Sequence, residues 1–383
     1  MEGPRTITMD ELPLIEELAG AVVREPEGLP AVPCSALPRV FAPANAHHIW
    51  AVFDGGRPAA MVSYLLDRVA IGGCEVLAAS LSTIATRPEY RGQGLASLIL
   101  DGCLGSMRAE GARILFAPGD RSLFRRLGCY PGGIVWTAKL DAAETPPPGE
   151  AVLRAVSGDD NLAALWRLHA GEDPRIIRDQ EQFRLAFLAD AFARASGLET
   201  RAWLAQREGK PNAYAVVGVP LDGPPHGCLV EYAGDRRALA GALRTILART
   251  GLKSIEVSIP HGDHLFLDRL RVAGGAWQAR AMPGAIGILD PAGFWRDLQP
   301  SLVHSIGEAS ARRISVTASG DGAVCLRVGQ EAMVLQDQER LVGLFFGAGE
   351  RPWPDRVMPG NLQRTLSACL PLPLPWRWGL DYV

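Results

Sequence analysis

The stretch Arg91-Gly92-Gln93-Gly94-Leu95-Ala96 has the residue types and spacing best suited to holding a reactive ligand. It has the form R-x-x-G-x-(G/A) and stands where a strand gives way to a helix. Glycines at such a junction let the backbone approach a pyrophosphate, and the successive N–H groups of a helix start point at it. Glycine-containing helix starts also arise from packing alone, so the surroundings decide. The preceding strand, Leu81-Ser82-Thr83-Ile84-Ala85-Thr86, is followed by Arg87-Pro88-Glu89-Tyr90-Arg91. After the turn, Leu95, Leu98, Ile99, Cys103, Leu104 and Met107 recur at helical spacing until Gly111 ends the element. A short strand, Arg113 to Ala117, then leads to Gly119-Asp120-Arg121-Ser122-Leu123-Phe124-Arg125-Arg126-Leu127-Gly128.

Two other constellations could carry chemistry. His261-Gly262-Asp263-His264 is a local cluster of metal-capable groups, but it follows an Ile-Pro step and has no second half, so a polar loop or helix start is expected and no metal. Cys129 could act as a nucleophile, yet no histidine is near in sequence and burial is the commoner fate of a single thiol. The seven cysteines are scattered without a C-x-x-C spacing, which reads as reduced thiols.

The strand, the turn, the helix and the following Gly119–Gly128 segment resemble the GNAT superfamily over residues 1 to about 143. In that superfamily acetyl-CoA lies between two splayed central strands with its pyrophosphate on this turn. The whole chain looks like a narrower group, the Eis-like acetyltransferases, by its length, its unrepeated turn and the segment Phe124-Arg125-Arg126-Leu127-Gly128-Cys129-Tyr130-Pro131. The resemblance implies an α+β chain of three parts: a GNAT domain at 1–143, a degenerate GNAT-like domain at 150–290, and a sterol-carrier-protein-like domain at 291–383. It implies acetyl-CoA as co-substrate, bound by Ile84, Ala85, Thr86, Arg91, Gly92, Gln93, Gly94, Leu95, Ala96, Ser97, Phe124 and Arg125. It also implies a homo-oligomer, trimer or hexamer.

Acetyl transfer from a thioester to an amine needs a neutral amine, a polarised carbonyl and a proton for the departing thiolate. An alkyl amine titrates at about 10.4, so a base or a proton exit is required at neutral pH. Backbone N–H groups around Ile84 to Thr86 could form the oxyanion hole. By resemblance, a tyrosine protonates the thiolate and the C-terminal carboxylate is the base, which assigns Tyr130 and Val383 as catalytic. The chain departs from the pattern here: without gaps, the tyrosine of the family's Phe-Gly-Tyr falls on Cys129, and the acid position of some GNAT enzymes is Phe124. A one-residue slip in an extended segment turns a side chain to the other face. Phe41, His47, His48 and Trp50 fall where the acceptor wall of such a fold forms, and Asp381 could attract a cation; Phe41, His48 and Asp381 are the substrate-binding candidates.

These residues depend on elements legible from periodicity. Asp10 to Val23 reads as an amphipathic helix, and Ile49 to Phe53, Ala59 to Leu66 and Glu75 to Ala85 read as strands. Gly133 to Leu140 reads as the strand that closes the first domain, and Pro146-Pro147-Pro148 as a boundary. The second part repeats the order but has Ala233-Gly234-Asp235-Arg236-Arg237 where the turn should be. The last part reads as a helix from Phe294, short strands near 314–318, 324–328 and 333–335, a helix near 339–346, and an apolar tail with Trp376, Trp378 and Tyr382 that is built to pack.

Composition bounds the alternatives. The 383 residues are 48% hydrophobic and 21% charged, with a net charge of −3 and no block of like charges. That is a folded multidomain chain with no footprint for nucleic acid. No signal peptide or membrane span is read, so the expected compartment is the cytoplasm. The expected function is an N-acetyltransferase acting on a polyamine, an aminoglycoside-like amino sugar or a protein lysine. The competing readings are a non-catalytic CoA- or lipid-binding protein and an acyltransferase using a longer acyl-CoA.

Overall fold

The computed structural model describes residues 1–22, 34–320, 322–348, 358, 360–377 and 379–383. Val23, the expected end of the first helix, and Trp378 of the tail lie outside them. The chain opens with β1 (Glu2–Thr6), α1 (Leu12–Val22), β2 (Ile49–Asp54), β3 (Arg57–Ile71), β4 (Cys74–Thr86), α2 (Leu95–Ala109), β5 (Ile114–Ala117) and the one-turn α3 (Ser122–Arg125). Then come β6 (Ile134–Asp141), β7 (Val152–Val156), α4 (Leu162–Ala170), the two-residue β8 (Arg175–Ile176), α5 (Gln180–Ala189), α6 (Ala191–Ser196), β9 (Leu198–Arg207), β10 (Lys210–Pro220) and β11 (His226–Gly234). α7 (Arg236–Thr250), β12 (Ser254–Pro260), α8 (His264–Ala273), β13 (Gln278–Ala281) and β14 (Ala285–Ile288) follow. The remainder gives α9 (Pro291–Asp297), α10 (Gln299–Ile306), α11 (Glu308–Ala311), β15 (Ile314–Ala318), β16 (Val324–Val328), β17 (Glu331–Leu335), α12 (Gln338–Phe346) and α13 (Gly360–Ser367).

These elements form two units. The first comprises residues 1–133, 281–372 and Val383; the second comprises 134–280 and 373–382. In the first unit the strands lie in the order β1-β2-β3-β4-β5-β14, antiparallel except for the parallel pair β4/β5. β3 and β4 are joined at Gly72-Gly73, where φ of +58° and +75° supplies the two left-handed residues of a tight hairpin. α2 packs on one face of this sheet. Its Leu95, Ile99, Leu100, Cys103, Leu104 and Met107 join Val62, Tyr64, Ala79, Leu81 and Leu115 in a core cluster. Burying each large side chain there contributes about 1.5–3 kcal/mol.

Of residues 291–383, expected to fold as a sterol-carrier-protein-like domain, 291–372 carry α9–α13 and the three-stranded sheet β15-β16-β17 and belong to the first unit, and 373–382 belong to the second. Arg113, just ahead of β5, pairs with Asp290 at 2.6 Å and Asp297 at 2.7 Å, and Ser301 N–H donates to Cys74 Sγ at 3.3 Å.

The second unit has the sheet β13-β6-β12-β11-β10-β9-β7. Here the structure departs from the sequence expectation. β6, read as the closing strand of the first domain, pairs antiparallel with β12 from Val135↔Pro260 to Asp141↔Ser254. The place beside β5 is taken instead by β14, paired from Ala117↔Ala285 to Ile114↔Ile288. The proline run lies between β6 and β7, and the break between units comes earlier, at Gly133/Ile134.

Candidate active site

The parallel ladder between β4 and β5 consists of Ala78↔Ile114, Ala79↔Leu115 and Ser80↔Phe116, and stops there although β4 continues to Thr86. The two strands therefore part beyond Ser80. On its other edge β4 stays paired with β3, through Val62↔Ile84, Met61↔Ala85 and Ala60↔Thr86. The register shifts between Val62 and Tyr64, where β4 has an extra residue. Ser63 closes this bulge: its buried Oγ accepts from Thr83 N–H at 3.0 Å. A bulge re-aims the residues that follow it, here Ile84 to Thr86. Sequence reasoning passed over Ser63 because its partner is a strand away. It also passed over Ser80 and Ser82, whose buried hydroxyls have no hydrogen-bond partner among the described residues.

The turn after β4 adopts the conformation its glycines anticipate. Gly92 and Gly94 have φ of +78° and +77°, and a Cβ on either would project into open space. Gly94 is the N-cap of α2, with no side-chain cap on the helix's first amides. An uncapped start of a helix this long carries the positive end of the macrodipole. The longer side chains of the turn fold back onto it: Arg91 Nε donates to Thr86 O at 3.3 Å and Gln93 Nε2 to Glu89 O at 3.3 Å. Leu95 is buried, while Ala96 and Ser97 are half-buried.

Ile84, Leu95 and Phe124 meet in the same core cluster, so three of the expected cofactor residues are brought together. Phe124 is 2% exposed and acts there as core, whereas Arg125 points outward and pairs with Asp120 at 2.6 Å. Cys129 is fully buried in that cluster, and its Sγ faces Gly287, where an added Cβ would stand at 2.9 Å. Burial pushes its thiol up to about 12, which leaves no thiolate for nucleophilic attack at neutral pH. Tyr130 is half-buried and exchanges both backbone hydrogen bonds with Ile286, at 2.9 and 2.8 Å. In such a segment successive side chains alternate in direction, so Cys129 takes the α2 side and Tyr130 the other.

The acceptor-side candidates are placed as follows. Phe41 is buried. Trp50 lies over α2, where Gly102 leaves room for its ring. His48 is buried, with Nδ1 2.9 Å from Asn45 Oδ1 and Nε2 2.8 Å from Glu110 Oε2, while Tyr64 Oη donates to Glu110 Oε1 at 2.9 Å. Burial depresses the His48 pKa against the opposing pull of Glu110. Burial would raise Glu110, but bonds from His48 and Tyr64 outweigh it and hold the carboxyl low. Glu110 follows the C-terminus of α2 and the glycine turn precedes its N-terminus, so about 22 Å of helix separates His48 from the turn. His47, His48 and Glu110 are the one metal-capable trio that converges among the described residues, and both ring nitrogens of His48 are already engaged. Asp263 of the His261–His264 segment instead caps α8, accepting from Phe266 N–H, and receives bonds from Tyr232 and Arg236. Val383 belongs to the first unit, and Asp381, 6% exposed in the second, pairs with Arg178 at 3.1 Å.

The second unit repeats the split without the turn. β11 and β12 are parallel at His226↔Ser254, Gly227↔Ile255 and Cys228↔Glu256, and the ladder stops while β11 runs on to Gly234. The helix that follows is capped by its own carboxylate: Asp235 accepts from Ala238 N–H at 2.7 Å. Glu172 takes Gly234 N–H at 2.7 Å and pairs with Arg236. Protein carboxylates thus fill the place a phosphate would need.

Residues 5–132 match the family model described as an acetyltransferase (GNAT) domain. Comparison with curated protein sequences found no match. Among solved structures, a GCN5-related N-acetyltransferase from Anabaena variabilis superposes with a TM-score of 0.62 at 12% identity, over 89% of this chain and 89% of that one. Eis1 from Mycobacterium abscessus gives 0.61 at 13% identity, over 96% of each chain. A GCN5-related N-acetyltransferase from Kribbella flavida gives 0.55 at 18% identity, over 99% of this chain and 94% of that one. At such identities the likeness is one of fold. The family match, covering the split strands and the uncapped glycine turn, makes residues 5–132 a GNAT acetyltransferase domain and the protein an acyl-transferring enzyme.

Proposed function

We propose that this enzyme transfers acetyl directly from acetyl-CoA to a primary amine on a polyamine, an amino sugar or a lysine side chain. The observation that carries the reading is the Gly92–Gly94 turn, left-handed and uncapped, at the end of the strand that parts from β5. There the amides of residues 92–97 would hold the pyrophosphate, the acyl arm would lie in the split, and Ile84 to Thr86 would polarise the thioester carbonyl. Arg125 would add charge at the rim. Phe124 would contribute through packing, since its ring is in the core.

In the reaction the neutral amine attacks the thioester carbon, the C–S bond breaks, and the thiolate takes a proton from Tyr130 Oη. The proton lost by the amine goes to the Val383 carboxylate. Val383 belongs to the unit that carries the turn, which favours its role; Tyr130 is the hydroxyl next in sequence to the tyrosine position held by buried Cys129, and its role requires that it reach the thiolate from the side away from α2. Asp381, already paired with Arg178, would steer a cationic acceptor less than its charge alone suggests.

The test is release of CoA from acetyl-CoA with a panel of polyamines, amino sugars and lysine peptides, for the full chain and for one lacking Val383. Turnover that vanishes on removal of Val383, with acetyl-CoA binding retained, is the expected result. Undiminished turnover would move the base elsewhere, and turnover only with longer acyl-CoAs would replace acetyl as the transferred group.

A further inference from the structure

At the end of α2 away from the glycine turn, three side chains able to bind a metal converge. His47 and His48 lie on the 3-10 turn Pro43–His48 that leads into β2, and Glu110 caps the C-terminus of α2. A nitrogen of each ring and a carboxylate oxygen lie within 4.8 Å of one another. All three residues belong to the first unit. His48 is buried, whereas His47 and Glu110 are exposed and give the group access to solvent.

Hydrogen bonding decides which atom of His48 is left to act. Asn45 Nδ2 donates to Val40 O at 2.9 Å and to Tyr64 O at 3.2 Å, so the amide cannot be turned round. Its Oδ1 is therefore the atom 2.9 Å from His48 Nδ1, and an oxygen there requires the proton on Nδ1. In the neutral ring Nε2 then carries a lone pair, yet it faces a second acceptor, Glu110 Oε2, at 2.8 Å. Two acceptors so close call for a positive centre, which either a proton or a metal ion can supply.

Three features favour the metal. A proton would engage two groups, but His47 brings a third nitrogen to the same place. The atoms of His48 and Glu110 that face away are held from outside: Nδ1 by Asn45, and Oε1 by Tyr64 Oη at 2.9 Å and Ser106 Oγ at 3.0 Å. Outer hydrogen bonds of this kind orient metal ligands. Glu110 also sets a negative charge at the C-terminus of a 15-residue helix, where the macrodipole is already negative and a cation is stabilising.

We infer that His48 Nε2, Glu110 Oε2 and one ring nitrogen of His47 bind a zinc ion, with a water in the fourth position. Two imidazoles and a carboxylate are donors that suit Zn²⁺, and three protein ligands with one water complete its tetrahedron. Zinc bonds of about 2.0–2.2 Å set ligand atoms roughly 3.3 Å apart, so His47 turns inward on binding and the His48–Glu110 contact widens. The ion ties the Pro43–His48 turn to α2. It lies a helix length from the glycine turn, so the inference is independent of the acetyl-transfer reading.

The experiment strips the tag-free chain with a chelator, then titrates it with Zn²⁺ by calorimetry and with Co²⁺ by visible absorption. The parent is compared with His47→Ala, Glu110→Gln and His261→Ala; His261 and His264, with ring centroids 5.5 Å apart, are the other place where histidines meet. His47 is exposed, so His47→Ala keeps the test open if Glu110→Gln fails to fold. The expected result is one Zn²⁺ per chain, in the micromolar range or tighter, with affinity lowered at least about tenfold by His47→Ala and by Glu110→Gln and unchanged by His261→Ala. Co²⁺ is expected to give the intense visible bands of a four-coordinate ion, lost in the same two variants. A parent chain that binds no zinc overturns the inference and leaves a proton between His48 and Glu110. Binding that survives both substitutions, or that is lost with His261, places the ion elsewhere and also overturns it, as does a weak cobalt spectrum typical of a six-coordinate hydrated ion.

Discussion

At the scale of single residues, Gly94 is the sharpest test of the cofactor turn. Its φ of +77° costs an L-residue about 1–2 kcal/mol, and the added Cβ would project into the open space in front of the helix start. Gly94→Val is expected to weaken acetyl-CoA binding at least about tenfold in calorimetry while thermal unfolding shows a folded chain. His169 offers a test of the tail's surroundings. Burial, reinforced by the Arg178 charge, holds its pKa down at about 3, and its Nε2 lies 2.9 Å from Ile176 O. The folded state therefore binds fewer protons than the unfolded one below the usual histidine pKa of about 6.5, so stability falls as pH drops from there toward 3. His169→Gln, which keeps a donor for Ile176 O, is expected to flatten the decline in Tm between pH 7 and 5. An unchanged slope would assign the decline to other groups.

At the scale of elements, the two strand splits differ: the first follows a bulge in β4 and ends in an uncapped glycine turn, and the second ends in a helix capped by its own carboxylate. Ser63→Ala strips Thr83 N–H of its buried acceptor, at a cost of about 1–3 kcal/mol measured by denaturant unfolding. Because the bulge aims Ile84 to Thr86, kcat is expected to fall more than affinity for acetyl-CoA. Asp235→Ala removes the N-cap of α7 and is expected to cost about 1 kcal/mol without creating a second acetyl-CoA site, since Glu172 still occupies Gly234 N–H and Arg236. A stoichiometry of two in that variant would show that the cap alone had closed the second turn. Most of these elements were legible in the sequence. α2 and the strands β2, β4 and β5 were read within a residue or two of their observed ends, and β3 was read five residues short of Ile71, because apolar period and glycine punctuation are local signals. The edge strands β1, β7 and β13 were missed: they are short, and their alternation is weak.

At the scale of the whole molecule, the tail ties the end of the chain to its middle. Removing residues 373–383 would expose the seat of Leu374 and Leu380, both buried, and is expected to lower the Tm of the second unit, whereas removing Val383 alone is expected to leave Tm unchanged. Differential scanning calorimetry separates the two. The sequence by itself determined the α+β class, the first-unit order of helix, strands, turn and helix, and the turn at residues 91–96, because each depends on neighbours close in the chain. It also announced the absence of that turn from the second unit. Only the tertiary structure decided which strand completes each sheet, since β6 meets β12 and β14 meets β5 across long separations that periodicity does not encode. The same holds for the charged candidates. Asp381 and His48 looked free to meet a substrate, and each is instead buried beside a partner, Arg178 or Glu110, that lies far away in sequence; an ion pair across such a distance is set by packing, not by spacing.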